Sequence, residues 1–133
     1  MNENLFDGIN IKKENTHVPS GAISSNEEAA KYDEAIKSAG GIDIQLLGLG
    51  INGHVGFNEP NTPFESITSI VDLTESTIEA NSRFFQSKDE VPTQAISMGL
   101  QSIMNAKKVI LIATGENKAE AVKHLIEGPV STE

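Results

Sequence analysis

The sequence predicts an α/β fold, part of a mostly parallel sheet with flanking helices. Three observations carry this. Two short apolar runs, residues 42–50 and 108–114, are nearly continuous and bounded or followed by glycine. Such runs fit strands buried on both faces of a parallel sheet. Segments with apolar residues at steps of three and four flank them, as amphipathic helices require. Neither an internal repeat nor a low-complexity tract divides the chain, so residues 1–133 form one domain.

The elements follow in order. The first two dozen residues hold little regular pattern, and Val18-Pro19-Ser20-Gly21 reads as a turn. Ser25-Asn26-Glu27-Glu28 has the form of a capping box, and Ala29, Tyr32, Ile36 and Ala39 then line one helical face. Gly40-Gly41 ends that helix. The first buried strand comes next. A weaker strand over residues 67–73 and a helix over 75–85 follow it. Ala95-Ile96-Ser97-Met98 forms another short strand, and Leu100, Ile103 and Met104 lie on a short helix. After the second apolar run and Gly115, a helix carries Ala119, Val122, Leu125 and Ile126 on one face, until Gly128-Pro129 stops it.

Composition narrows the function. The 133 residues hold Lys+Arg 10 against Asp+Glu 19, a formal net charge of −9. Nucleic-acid binding draws on surplus Lys and Arg to displace phosphate counterions, so it is not expected. No stretch approaches the ~20 apolar residues of a membrane span. The opening Met1-Asn2-Glu3-Asn4 has no signal-peptide character. With no Cys there are no disulfides, thiolate metal sites or Cys nucleophiles. The expectation is a cytoplasmic, acidic domain.

Chemistry concentrates in Gly48-Leu49-Gly50-Ile51-Asn52-Gly53-His54-Val55-Gly56-Phe57-Asn58-Glu59-Pro60. The segment leaves the carboxyl end of a strand, where α/β sheets bind ligands. Glycine there lets the backbone bend and approach a ligand. His54 can exchange a proton with a substrate oxygen near neutral pH, and a nearby carboxylate or amide can fix its tautomer. The alternative is a structural histidine in an ordinary glycine-rich turn. The spacing of Gly48, Gly50 and Gly53 matches a dinucleotide fingerprint formally, but polar residues and Pro60 follow where a helix is needed. His54 and Glu59 are five apart, which is no standard metal-ligand spacing.

Two further positions suit an anion. Thr114-Gly115-Glu116-Asn117-Lys118 opens a helix, whose free N–H groups favour negative charge, and Lys118 adds a full charge. Arg83, between Ser82 and Phe84, could present its fork to a phosphate or carboxylate. The bland readings are a solvated Lys118 and an Arg83 paired with an acidic neighbour.

The residues Gly50-Ile51-Asn52-Gly53-His54-Val55-Gly56-Phe57-Asn58-Glu59-Pro60 resemble the signature of glucosamine-6-phosphate deaminases. Ala80-Asn81-Ser82-Arg83-Phe84-Phe85, Val91-Pro92-Thr93-Gln94-Ala95-Ile96-Ser97-Met98-Gly99 and Gly115-Glu116-Asn117-Lys118-Ala119 resemble that family in the same order. The sister 6-phosphogluconolactonases share the Gly-x-x-Gly-His core but typically continue Thr-Ala-Ser-Leu-Phe-Pro. The resemblance implies a modified Rossmann-like fold and conversion of glucosamine 6-phosphate to fructose 6-phosphate and ammonia, without metal or organic cofactor. It implies that His54 is the acid/base of ring opening, and that Glu59 and Asn52 orient it. Arg83 and Lys118 would bind the substrate phosphate, and Gly50 and Gly53 would shape the loop around the sugar. Many members have Asp at the position of Asn52, and an amide cannot carry that charge. The stretch Ile67-Thr68-Ser69-Ile70-Val71 lacks the basic residues by which allosteric members bind an acetylated sugar phosphate, so no such activation is implied.

The resemblance also implies an incomplete domain. The phosphate loop on the family's first strand, its isomerisation base in an Asp-Glu-Tyr-like motif, and its last strand and helix have no match here. The expectations are an inactive isolated chain and an exposed sheet edge open to association, including homo-oligomerisation. A lactonase-like hydrolase and a non-catalytic phosphosugar-binding module remain the alternatives.

Overall fold

The computed structural model describes residues 1–132. After two 3-10 turns, Phe6–Gly8 and Lys13–Asn15, helix α1 spans Asn26–Ser38. Its start follows the sequence signal. Ser25 is the N-cap, and its Oγ accepts from the Glu28 amide at 3.3 Å. The Glu28 carboxylate reaches back to the Ser24 amide at 3.1 Å, one residue earlier than in the standard box. Gly40 and Gly41, at φ 95° and 86°, carry the chain out of the helix through the left-handed region.

Strand β1, Ile44–Gly48, pairs in parallel with β4, Lys108–Ile112, from Ile44 opposite Lys108 to Gly48 opposite Ile112. The crossover between them holds β2 (Ser69–Asp72), α2 (Glu75–Asn81), β3 (Gln94–Ser97) and α3 (Leu100–Met104). Strands β2 and β3 form a separate antiparallel pair, Ile70 opposite Ile96. The parallel pairing expected of the two apolar runs is therefore present in β1/β4, while the weaker strands pair antiparallel. Helix α4, Ala119–Glu127, follows β4 after a 3-10 turn, Glu116–Lys118.

Helix α1 packs against β2 through polar side chains. Asn26 Oδ1 accepts from the Ile70 amide at 2.9 Å, and Asp33 Oδ2 accepts from the Thr68 amide at 2.8 Å. Two positions seven apart lie on one helical face, so both reach the same strand edge. They satisfy N–H groups that a neighbouring strand would otherwise take.

Two sequence expectations change. The helix expected over 75–85 stops at Asn81, and Ser82–Phe84 continues as a 3-10 turn. Asn81 donates back to the Thr77 carbonyl at 2.8 Å and Ser82 Oγ to the Glu79 carbonyl at 2.7 Å. Such side chains compete with the backbone and end helices. The two apolar strands were expected to be buried on both faces, and they are not. Ile44, Leu46, Ile110 and Ile112 share one face of the pair and are 58%, 61%, 47% and 53% exposed. The apolar core of the described residues is small, with Ala29, Leu49, Val91, Ile103 and Ala121 buried.

Candidate functional site

Because β1 and β4 run parallel, the loops after both leave the sheet at the same end. The loop after β1 turns sharply. The Gly50 amide donates to the His54 carbonyl at 2.7 Å, and the Gly53 amide to the Gly50 carbonyl at 3.2 Å. Gly53 sits at φ 88°, where a Cβ would be strained. Gly50 is required for another reason: a Cβ there would lie 2.5 Å from the His54 ring. The imidazole is therefore seated directly on the strand end.

Beyond His54 the loop is pinned to β3. Asn58, buried, donates from Nδ2 to the carbonyls of Val55 at 2.9 Å and Met98 at 2.8 Å. Ser97 Oγ accepts from the Phe57 amide at 3.0 Å. Glu59 is thus delivered back toward His54.

The three polar side chains form one network. Asn52 Nδ2 donates to Glu59 Oε2 at 2.7 Å, and Asn52 Oδ1 lies 2.7 Å from His54 Nδ1. Glu59 Oε1 is 3.4 Å from the same ring nitrogen. The carboxylate only accepts, so it must face the Asn52 amide N–H₂. That leaves Asn52 Oδ1, also an acceptor, toward the ring. Nδ1 must then carry the proton, and in the neutral ring Nε2 is the free base. The amide at position 52 therefore fixes the tautomer even though it carries no charge. His54 and Glu59 side chains retain 24% and 17% of their exposure, enough for a substrate atom to reach the ring.

The environment of Glu59 acts on its acidity in two directions. Burial pushes the carboxyl up. The Asn52 hydrogen bond, the charge of His54 and the hydroxyls of Thr77 and Thr74 outweigh this and hold it below the ordinary Glu value.

Asn52, Gly53, His54 and Glu59 line a cavity of about 530 Å³ closed on its far side by α4 and residues 128–132. The Asn61 amide donates to the Thr132 carbonyl, which ties that segment to the loop. A second hollow of about 480 Å³ lies between the end of α1 and α3. Asp33, Lys37 and Asn105 line it with Ser102, whose buried hydroxyl has no hydrogen-bond partner. It contains no residue of the signature loop.

The two expected anion binders stand apart from the histidine cavity. Arg83 is exposed on the 3-10 turn after α2, its guanidinium 4.7 Å from the centre of the Phe84 ring. Lys118 ends the 3-10 turn after Gly115 and occupies the N-cap position of α4, rather than the first turn of a longer helix. Neither lines the cavity, and neither forms an ion pair among the described residues. Both sit on loops that a phosphate could reach from solvent. No group of three or more His, Asp or Glu among the described residues is arranged to hold a metal ion. None of their helices is long and apolar enough to cross a membrane.

Sequence reasoning missed Thr74 and Thr77. Thr77 Oγ1 donates to Glu59 Oε1 at 3.1 Å, and Thr74 Oγ1 lies 3.3 Å from the same oxygen. Thr74 was legible as an N-cap before Glu75, since its Oγ1 accepts from the Thr77 amide. The partner of Thr77, 18 positions away, left no local signal.

Comparison with known proteins gives this geometry a context. The chain is 63% identical over 131 residues to a glucosamine-6-phosphate deaminase of Mycoplasma mycoides subsp. mycoides SC, covering 98% of this chain and 53% of that protein. It is 59% identical to one from Thermoanaerobacter pseudethanolicus, over 99% of this chain and 53% of the relative. Against one from Clostridioides difficile the identity is 53%, over 100% of this chain and 54% of the relative. The chain thus spans about half the length of the curated relatives it matches. A solved structure, of a monomeric glucosamine-6-phosphate deaminase described as the missing link of the NagB superfamily, superposes with a TM-score of 0.93 at 45% identity. That superposition covers 99% of this chain and 55% of the other. A family profile described as glucosamine-6-phosphate isomerases/6-phosphogluconolactonase matches residues 1–133, and the chain belongs to that family.

Proposed function

We propose that this chain carries the ring-opening part of a site that converts glucosamine 6-phosphate to fructose 6-phosphate and ammonia. The observation that carries the reading is the Asn52–His54–Glu59 network, which places the proton on Nδ1 and leaves Nε2 as the free base of a ring that lines a cavity. In ring opening, Nε2 takes the proton of the C1 hydroxyl and returns it to the ring oxygen as the C1–O5 bond breaks. The product is the open-chain aldehyde, and the histidine ends neutral. Glu59 stabilises the imidazolium that exists between the two transfers.

The next step moves a proton from C2 to C1 and one from the amino nitrogen to the C1 oxygen, and yields the C2 imine with a C1 hydroxyl. Water then adds and ammonia leaves, giving the ketose. The C2 proton needs a second base. The family resemblance assigns it to an Asp in a motif that residues 1–133 do not match, so the isolated chain should turn over little substrate. Arg83 and Lys118 are proposed to hold the phosphate, while Gly50 and Gly53 shape the loop on which the sugar lies. No metal or organic cofactor enters this scheme, and a cytoplasmic location belongs to the same reading.

The test is ammonia release from glucosamine 6-phosphate. It is measured for this chain alone and after addition of the portion of the Mycoplasma relative that the chain does not cover. The expected result is negligible release alone and release on complementation. Hydrolysis of 6-phosphogluconolactone by the complemented protein, with no ammonia from the amino sugar, overturns the reading in favour of a lactonase. Phosphosugar affinity with neither activity favours a binding module.

A further inference from the structure

Glu59 matters only if its carboxylate stays aimed at Asn52 and His54. Its loop alone does not fix that aim, because a glutamate side chain has three rotatable bonds and its terminal torsion is broad. The fixing contacts come from a different element. Thr77, in the first turn of α2, is buried at 8% exposure and directs its hydroxyl at Glu59 Oε1, 3.1 Å away. The hydroxyl has one proton. Thr74 Oγ1 lies 3.0 Å from Thr77 Oγ1 and can donate to it, which leaves the Thr77 proton for the carboxylate. Asn52 binds the other oxygen, Oε2. Each carboxylate oxygen thus has its own donor, and the plane of the group is set.

From this geometry we propose that Thr77, supported by Thr74, is a positioning residue for Glu59. It acts through the carboxylate and does not touch substrate. Helix α2 ends where Asn81 binds the Thr77 carbonyl, and Arg83 follows two residues later. Thr77 therefore links the segment bearing Arg83, through its backbone carbonyl, to the histidine network, through its hydroxyl. This inference rests on the deaminase reading for its purpose, but its test does not.

The groups that face the Glu59 carboxylate can be named. His54 lies on its own loop, and Glu120 and His124 of α4 stand on the cavity wall. The carboxylates of Glu75 and Glu79 on α2 are turned to Lys88. Hydroxyl donation helps keep the Glu59 carboxyl below its ordinary value, so removing the donor moves its titration upward.

The experiment is a ¹³C NMR titration of the Glu59 side-chain carboxyl in the 133-residue chain, for wild type, Thr77→Val and Thr77→Ser. Valine keeps the shape and removes the donor, whereas serine restores the donor. The expected result is an upward move in Thr77→Val and a return toward wild type in Thr77→Ser. An unmoved midpoint in a folded Thr77→Val overturns the proposal. Should that variant unfold, the wild-type chain decides. The Thr77 hydroxyl proton is then expected to be protected from solvent exchange above the Glu59 midpoint and released below it. A hydroxyl that exchanges freely at neutral pH overturns the proposal. Failure of ammonia release leaves the titration result standing, so the two readings fail separately.

Discussion

The loop from Gly50 to Pro60 and the open face of β1/β4 are opposite cases in one molecule. The loop is irregular, yet its polar side chains are held. Asn52, Asn58 and Glu59 each have partners within 3.5 Å, and the glycines are specified by a close ring or a positive φ. The face is regular, with parallel register throughout, yet its side chains touch little. Ile44, Leu46, Ile110 and Ile112 are all exposed. Regular backbone therefore does not mark where this chain is most specified. Side-chain hydrogen bonds do: a buried polar group such as Asn58 left unpaired costs ~1–3 kcal/mol, whereas an exposed Leu costs little.

Perturbation should separate the two regions. The largest effect is expected for His54→Ala in the complemented protein, a loss on the order of 10²–10⁴ in ammonia release, as for removal of a general acid/base. Unchanged turnover would mean that the loop is specified for structure alone. Gly50→Ala comes next. Its Cβ would overlap the His54 ring, so a loss of about 1–3 kcal/mol is expected in urea unfolding, with displacement of the His54 ring signals.

A smaller effect is expected from pH. A carboxyl whose folded pKa is lowered contributes stability above its unfolded pKa. That contribution is lost as pH falls through the folded pKa. Wild type should therefore lose urea stability between about pH 6 and about pH 3, and Glu59→Gln should lose less over the same range. Equal slopes would show that the loop network does not persist in solution.

The smallest effect belongs to the face. Leu46→Asp should change stability by less than about 0.5 kcal/mol while reducing light scattering by the isolated chain. A loss of several kcal/mol would show that something covers the face after all.

Local signals in the sequence were read well where one element contains its own instructions. Ser25 and Glu28 marked the start of α1, Gly40-Gly41 its end, and the glycine-bounded run at 42–50 located β1. That Asn52 and Glu59 stand beside His54 was implied by the family resemblance and not by local signal, although all three lie in one loop. What escaped depended on distance or on context. Apolar periodicity says which faces want cover, but cannot say whether cover is supplied within 133 residues. The early end of α2 came from Asn81 and Ser82 turning onto their own backbone, which mean helix preference conceals. Thr77 reads as an ordinary polar helix residue until the fold brings Glu59 to it.

The polar seam between α1 and β2 has a consequence for traffic between molecules. A strand edge with unclaimed amides recruits any extended peptide that drifts past, including a partly unfolded sister chain. Here the Thr68 and Ile70 amides are already occupied by Asp33 and Asn26. The helix therefore acts as a side-chain counterfeit of a neighbouring strand. Templated growth is blocked at that border, and amide hydrogen exchange there should be slow although no third strand among the described residues lies beside it.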